Sequence, residues 1–131
     1  MASLGSARRI VAVGAGWAVF HGYLQFTVLV NEGTSVKPPM FLGVLFMAAL
    51  ASSTLDKTDQ ALKSWILSTA LSALLVTALI ASPAALGVLE PQLMSLLVAG
   101  SVQPMVTVLL LTAPVNLLGC FLGQVMRAKI R

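Results

Sequence analysis

The chain has 131 residues, 58% of them hydrophobic and 9% charged, and its mean hydropathy is +0.96. A water-soluble domain of this length cannot hide that much apolar surface, so the composition excludes a soluble enzyme or regulatory module and leads us to expect an all-α integral membrane protein. The net charge of +4 does not indicate a nucleic-acid partner, because the basic residues sit at the ends of apolar runs, as headgroup and orientation anchors do.

Met1–Arg9 carries Arg8 and Arg9 and leads into the apolar run Ile10–Val30. That run is too long for the apolar part of a signal peptide and is followed by no small-residue cleavage site, so it reads as span 1. No acidic residue precedes Glu32, a bias shared with mitochondrial presequences. The localisation is therefore left between a prokaryotic plasma membrane and a mitochondrial inner membrane. Span 1 ends in the polar turn Asn31–Ser35. Pro38 and Pro39 then open span 2, 39–55, where a first-turn proline forfeits no helical hydrogen bond. The polar loop Asp56–Gln60 follows, with Asp56 or Thr58 as candidate N-cap of span 3, 62–82. Pro83, Gly87, Glu90 and Pro91 mark a connector.

From Pro91 to Met126 a continuous helix would measure about 54 Å, against a hydrocarbon core of about 30 Å. A break at Pro104 is therefore expected, giving span 4 over 105–126 and a short interfacial or re-entrant helix over 91–103. The alternative makes Ala84–Ser101 a fifth span. Four spans place seven of the eight basic residues on one face, with only Lys37 opposite, whereas five spans divide them equally. The inner-face preference of Lys and Arg therefore favours four spans, with both termini on the inner side.

Polar side chains within apolar spans either find partners or mark a function. His21, the only histidine, lies near the middle of span 1. It shares a face about 80° wide with Gly14, Trp17, Gln25 and Glu32. Asn116 occupies the middle of span 4, with Thr112 one turn before it and Cys120 and Gln124 one and two turns after. Shared depth makes His21, Gln25 and Asn116 a candidate polar helix–helix cluster, in which His21 would hydrogen-bond Asn116, Gln25 or a backbone carbonyl. Gly119 and Gly123 form a small-xxx-small pair, and Ser64, Ser68 and Ser72 stack at i, i+4 spacing; both read as helix-packing faces. Pro114 removes one helical hydrogen bond beside Asn116. Glu32 reads as a solvated outer residue, and Asp56, Asp59 and Glu90 as capping or loop charges.

His21 is also the one candidate cofactor contact, since imidazole can donate, accept or ligate. The bland alternative is a hydrogen bond that holds the bundle together. Cys120, the single cysteine, permits neither an intrachain disulfide nor a cysteine-based metal site. There are no paired intramembrane carboxylates, no metal-spaced cluster and no nucleophile with a base in register, so no catalytic activity, metal or obligatory cofactor is expected. Gly14-Ala15-Gly16 lies inside an apolar span and is no phosphate loop.

The run Pro114–Phe121 is similar to a stretch of small four-helix fluoride channels. Span 3, however, contains no phenylalanine where that family has a phenylalanine-rich, helix-breaking segment. The spacing of Pro114, Asn116 and Leu118 is also similar to the end of anthrone-oxygenase-like four-helix proteins. Neither resemblance extends beyond about eight residues, and neither assigns a family. The expected partners are the lipid bilayer and either other membrane subunits or further copies of the chain. Three faces of small or polar residues point first to an accessory or scaffolding subunit of a larger membrane complex, respiratory or energy-transducing complexes included. A homo-oligomeric small-solute or ion channel or transporter comes second. A haem- or quinone-contacting redox subunit using His21 comes third.

Overall fold

The computed structural model describes residues 2–31 and 37–130. They form four helices, α1 (Ala2–Val30), α2 (Pro38–Ser53), α3 (Thr58–Ala85) and α4 (Pro91–Ile130), with no strand among the described residues. Glu32, the tip of the expected turn before span 2 and the tail residue Arg131 lie outside the described residues.

Local chemistry explains where the helices stop. Asn31 donates through both its backbone N–H (3.1 Å) and its side-chain amide (2.8 Å) to the Thr27 carbonyl, one of the last unpaired carbonyls of α1. Lys37 is extended, as the residue before a proline must be, and prolines fill the first turn of α2. At the far end of α2 the hydroxyls of Ser53 and Thr54 donate to the carbonyls of Leu50 and Ala51, each at 2.7 Å. The end of α3 is closed by a Schellman turn: Val88 N–H reaches Pro83 O at 2.8 Å, Gly87 N–H reaches Ala84 O at 3.0 Å, and Gly87 takes φ +72°. Only glycine adopts that conformation without strain.

Neither Asp56 nor Thr58 caps α3. The N-cap is Lys57, which makes no side-chain cap bond, and the Gln60 side chain instead reaches back to accept from Asp56 N–H at 3.0 Å.

The expected break at Pro104 is absent. Pro91–Ile130 is one helix of 40 residues with Pro104 and Pro114 inside it, about 60 Å long, so there is no separate interfacial or re-entrant helix over 91–103. The reason lies in the pattern of burial. Ser101, Met105, Val108, Thr112, Asn116 and Cys120 are all buried and recur every three or four residues, with half-buried Val98 and buried Met94 continuing the same stripe, a seam that crosses Pro104 without interruption. A proline costs one hydrogen bond and crowds the carbonyl four residues back, here that of Gly100. Nearby hydroxyls engage the carbonyls around it, Ser101 to Val98 O at 2.7 Å and Thr107 to Gln103 O at 2.9 Å. A fifth helix over Ala84–Ser101 is likewise absent, since residues 86–90 interrupt it.

The helices pair by direction. Ser64 donates to Ile10 O at 3.1 Å, and further along Gln25 donates to Ser72 Oγ at 3.4 Å. Contacts therefore advance together, and α1 and α3 run parallel. The same holds for α2 and α4, where Gly119 meets Ala48 and Leu45, Gly123 meets Ala49 and Ser52, and Gln124 donates to Ser52 O at 2.7 Å. A side chain is missing where these backbones approach. A Cβ on Gly119 would lie 2.5 Å from Ala48 Cβ and 2.8 Å from Leu45 O, and one on Gly123 would lie 2.8 Å from Ser52 Cβ.

One end of the bundle is clasped. Asp56 sits between Arg9 of α1, at 3.4 Å, and Arg127 of α4, which bonds Asp56 and also Leu55 O. Gln60 donates to Ser6 at 2.7 Å beside it. Both chain ends therefore meet the α2–α3 connection at a single pole.

Three helical segments, Gly5–Val30, Thr58–Ala85 and Gln92–Lys129, are long and apolar enough to cross a membrane, while Pro38–Ser53 is apolar but shorter. Their flanks are apolar and exposed, for example Val19, Tyr23, Phe46, Leu74 and Leu110.

Gly119→Ala and Gly123→Ala should each cost about 1–3 kcal/mol, because the new methyl meets backbone that cannot move aside. Gly16→Ala, with nothing within 4 Å of the new Cβ, should be neutral or stabilising. Thermal unfolding in mild detergent measures the order. Within the clasp, Arg127→Ala should cost about 1–3 kcal/mol, as loss of partly buried charge-assisted bonds does. Arg9→Ala should cost under about 1 kcal/mol, because that pair is exposed and screened. Equal losses in the same assay would contradict this reading of the clasp.

Candidate functional site

The interior of the bundle is polar at mid-height. From α1 it receives Trp17, His21 and Gln25, from α3 Ser68 and Ser72, and from α4 Thr112 and Asn116, all buried. Small residues make this possible. Gly14 and Gly22 bring α1 close to Ser64 and Ser72 of α3, so side chains one turn apart on α1 end inside the bundle rather than on its flank. The Ser64–Ser68–Ser72 face is spent on α1, and the Gly119–Gly123 face on α2. Both are consumed within the chain.

The expected partner of His21 was Asn116, Gln25 or a backbone carbonyl. The structure places His21 Nδ1 3.5 Å from Ser68 Oγ and Asn116 beside the same ring. The His21 ring stacks on Trp17, with centroids 5.9 Å apart, and packs against Phe20 at 6.3 Å. Asn116 lies against the ring, yet His21 Nε2 and Asn116 Oδ1 both lack a hydrogen-bond partner. The hydrogen-bonding roles at His21 depend on its tautomer; with the proton on Nε2 the ring faces Asn116 as a donor. Asn116 spends its amide protons on its own helix, donating to Thr112 O at 3.0 Å, while Thr112 donates to Val108 O at 2.8 Å. Gln25 donates to Ser72 Oγ at 3.4 Å, and its Oε1 has no partner; neither does Trp17 Nε1.

No group of three or more His, Cys, Asp or Glu side chains that could hold a metal ion occurs among the described residues. His21 is 3% exposed, with aromatic rings, Ser68 and Asn116 around it. The described pockets open on the flanks of the bundle, and His21 lines none of them. One of these flank grooves touches the buried Trp17. It lies between α1 and α2, holds about 390 Å³, and has Trp17 in its wall together with Val13, Gly16, Ser53 and Thr54.

Sequence reasoning singled out neither Trp17 nor Ser52 nor the Asp56 clasp as part of a site. Ser52 donates to Cys120 O at 2.7 Å and accepts from Gln124 at 3.1 Å, tying α2 to α4. Its signal was available, since Val44, Ala48 and Ser52 recur at i+4 on α2. Comparison with known protein families, characterised proteins and solved structures finds no match.

His21 makes only a long contact with Ser68, at 3.5 Å, and its approach to Asn116, so His21→Leu removes little bonding. The unfolding midpoint in detergent should hold or rise, with any cost below about 1.5 kcal/mol. Ser64→Ala, which deletes the bond to Ile10 O, should lower it by about 0.5–1 kcal/mol. A collapse of the fold in His21→Leu would show that this histidine is a structural linchpin after all.

Proposed function

We propose that the chain is a four-helix integral membrane protein whose working part is the polar interior around His21, Gln25 and Asn116, and that it passes or relays a small polar species across the bilayer. The observation that carries this reading is the set of buried, unpartnered polar atoms at the middle of the bundle. Such atoms are costly in hydrocarbon and mark function by default. The path would run inside one chain rather than along the axis of an oligomer, because these residues are enclosed by α1, α3 and α4.

Charge supports an orientation with both termini inside. Arg8, Arg9, Lys57, Lys63, Arg127 and Lys129 belong to the clasped pole, and Lys37 to the opposite one. A prokaryotic plasma membrane and a mitochondrial inner membrane both fit this asymmetry.

An accessory or scaffolding role in a larger membrane complex is the second reading. What favours it is the first half of α4, where Leu93, Leu96, Leu97, Val102 and Val106 are exposed along a helix about 15 Å longer than any other. Proteins that co-purify in mild detergent in a fixed ratio, and are lost when Leu93 and Leu97 are changed to Ala, would favour this role.

Purified chain reconstituted in liposomes tests the first reading. Permeability to water, small neutral solutes or alkali cations should rise several-fold above protein-free vesicles and fall back in Asn116→Leu. No difference for any of these solutes would remove the transport reading.

A further inference from the structure

Two cavities follow one another along α1. The first, of about 250 Å³, opens at the clasped pole and is lined by Gly5, Ser6, Arg9 and Asp56. The second is the groove between α1 and α2, of about 390 Å³, to which α1 contributes Ala12, Gly16 and Trp17 and α2 contributes Met47 and Leu50, with Thr54 at its end. Gly5, Arg9, Ala12 and Gly16 recur every three or four residues, so all four stand on one face of α1. On the facing wall, Asp56 of the first cavity follows two residues after Thr54 of the second. The seam is open because each helix packs elsewhere: α1 lies chiefly on α3 and α2 on α4, and a Cβ on Gly16 would meet nothing within 4 Å.

The pair of cavities is amphipathic. Its inner part is walled by small and apolar side chains, and its outer part holds a guanidinium and a carboxylate. From Gly5 to Trp17 the stripe rises about 18 Å, close to half the thickness of a hydrocarbon core, about 15 Å. Charge at the mouth is unbalanced. Asp56 supplies one carboxylate to two guanidinium groups, those of Arg9 and Arg127, which leaves one positive charge over, and Arg8 and Lys57 beside them in sequence are exposed. The Arg127 side chain is 17% exposed, whereas that of Arg9 is 64% exposed and pairs at 3.4 Å. With five N–H donors in its fork, Arg9 can turn some of them to a second anion while Asp56 keeps Arg127.

From this arrangement we infer that the stripe binds an anionic phospholipid of the leaflet that the clasped pole faces, its singly charged phosphodiester on Arg9 and one acyl chain in the groove against Gly16 and Trp17. One negative charge in the head answers the one positive charge left over at the clasp, and the chain answers a groove with apolar walls. A free phosphate would use the outer cavity alone. Basic pockets between helices on the positively charged side of a membrane protein take headgroups of this kind. The inference rests on the chain being an integral membrane protein and is independent of whether the His21 interior passes anything.

The full chain contains two tryptophans, so Trp65→Phe leaves Trp17 as the only one. In that background, vesicles of phosphatidylcholine with a fixed share of phosphatidylglycerol, brominated on the acyl chains of one lipid or the other, report which lipid lies against the ring, because bromine quenches indole fluorescence on contact. Brominated phosphatidylglycerol should be preferred about fivefold, the worth of one arginine at an anionic surface. Arg9→Gln should abolish the preference. Lys129→Gln, which removes an exposed charge of the same pole from α4, should keep it. Gly16→Leu, which fills the groove, should weaken quenching by either lipid with the helical spectrum unchanged, and Ala12→Leu, also at an exposed position, gives the same reading should Gly16→Leu fail to fold.

Equal quenching by the two lipids, or a preference that Lys129→Gln lowers as much as Arg9→Gln does, would overturn the site. Quenching by neither, as when protein covers the groove, would do the same, and an equal preference for zwitterionic phosphatidylethanolamine would overturn the charge argument. Membrane integration is read separately, by flotation of the vesicles after an alkaline wash. A chain that floats with the vesicles but shows no preference loses only the lipid site, and a chain that is washed off loses both readings.

Discussion

Close approach of helix backbones is the constraint on which the structure depends. In the membrane setting proposed above, helices with apolar flanks have no hydrophobic reason to prefer one another over lipid, so association comes from packing and interhelical bonds. The chain supplies both along two parallel seams. On the α2–α4 seam, Gly119 and Gly123 let the backbones come so near that a methyl group would collide. That proximity lets Ser52 reach Cys120 O and Gln124 reach Ser52 and Leu55. The α1–α3 seam works the same way with less severity, since a Cβ on Gly14 would lie 3.2 Å from Leu67 and from Ser64 O.

The polar interior follows from those seams. Trp17, His21 and Gln25 lie on one face of α1, and once Ser68 and Ser72 hold that face against α3, the remaining neighbour is the buried stripe of α4 carrying Thr112 and Asn116. The serine hydroxyls can turn back to their own helix carbonyls, as Ser68 and Ser72 do. They then have no proton for α1 and offer it only oxygen lone pairs. Serine on α3 thus brings an oxygen close to His21 and to Gln25 without adding bulk between the helices.

Much of this was legible in the residues themselves. The first-turn prolines of α2, the connector at Gly87 and the small faces at Ser64, Ser68, Ser72, Gly119 and Gly123 all follow from local rules that tertiary structure did not override. The break at Pro104 was not, because the length limit set by a bilayer was weighed against one proline without counting the seam from Met94 to Cys120, which keeps its period straight through. Of the neighbours of His21, Asn116 was legible and Ser68 was not. Depth places His21 and Asn116 at one level, but rotation about each helix axis decides which atoms face each other, and that rotation is set by Gly14, Gly22 and the serines. Asp56 looked like a loop charge because its two arginines lie far from it in sequence, at positions 9 and 127.

The imbalance at the centre needs a cause beyond cohesion. If His21, Gln25 and Asn116 served only to bind helices together, their interhelical bonds would return about 0.6 kcal/mol each on average. Each buried acceptor left without a proton costs about 1–3 kcal/mol. The contacts that His21 and Gln25 make, at 3.5 and 3.4 Å, are weak returns for burying such groups, and Gln25 Oε1 and Trp17 Nε1 find no partner. The clasp at Asp56 and the glycine seams tie the four helices together at other points, so the polar interior is a cost that the fold carries rather than the means of its assembly.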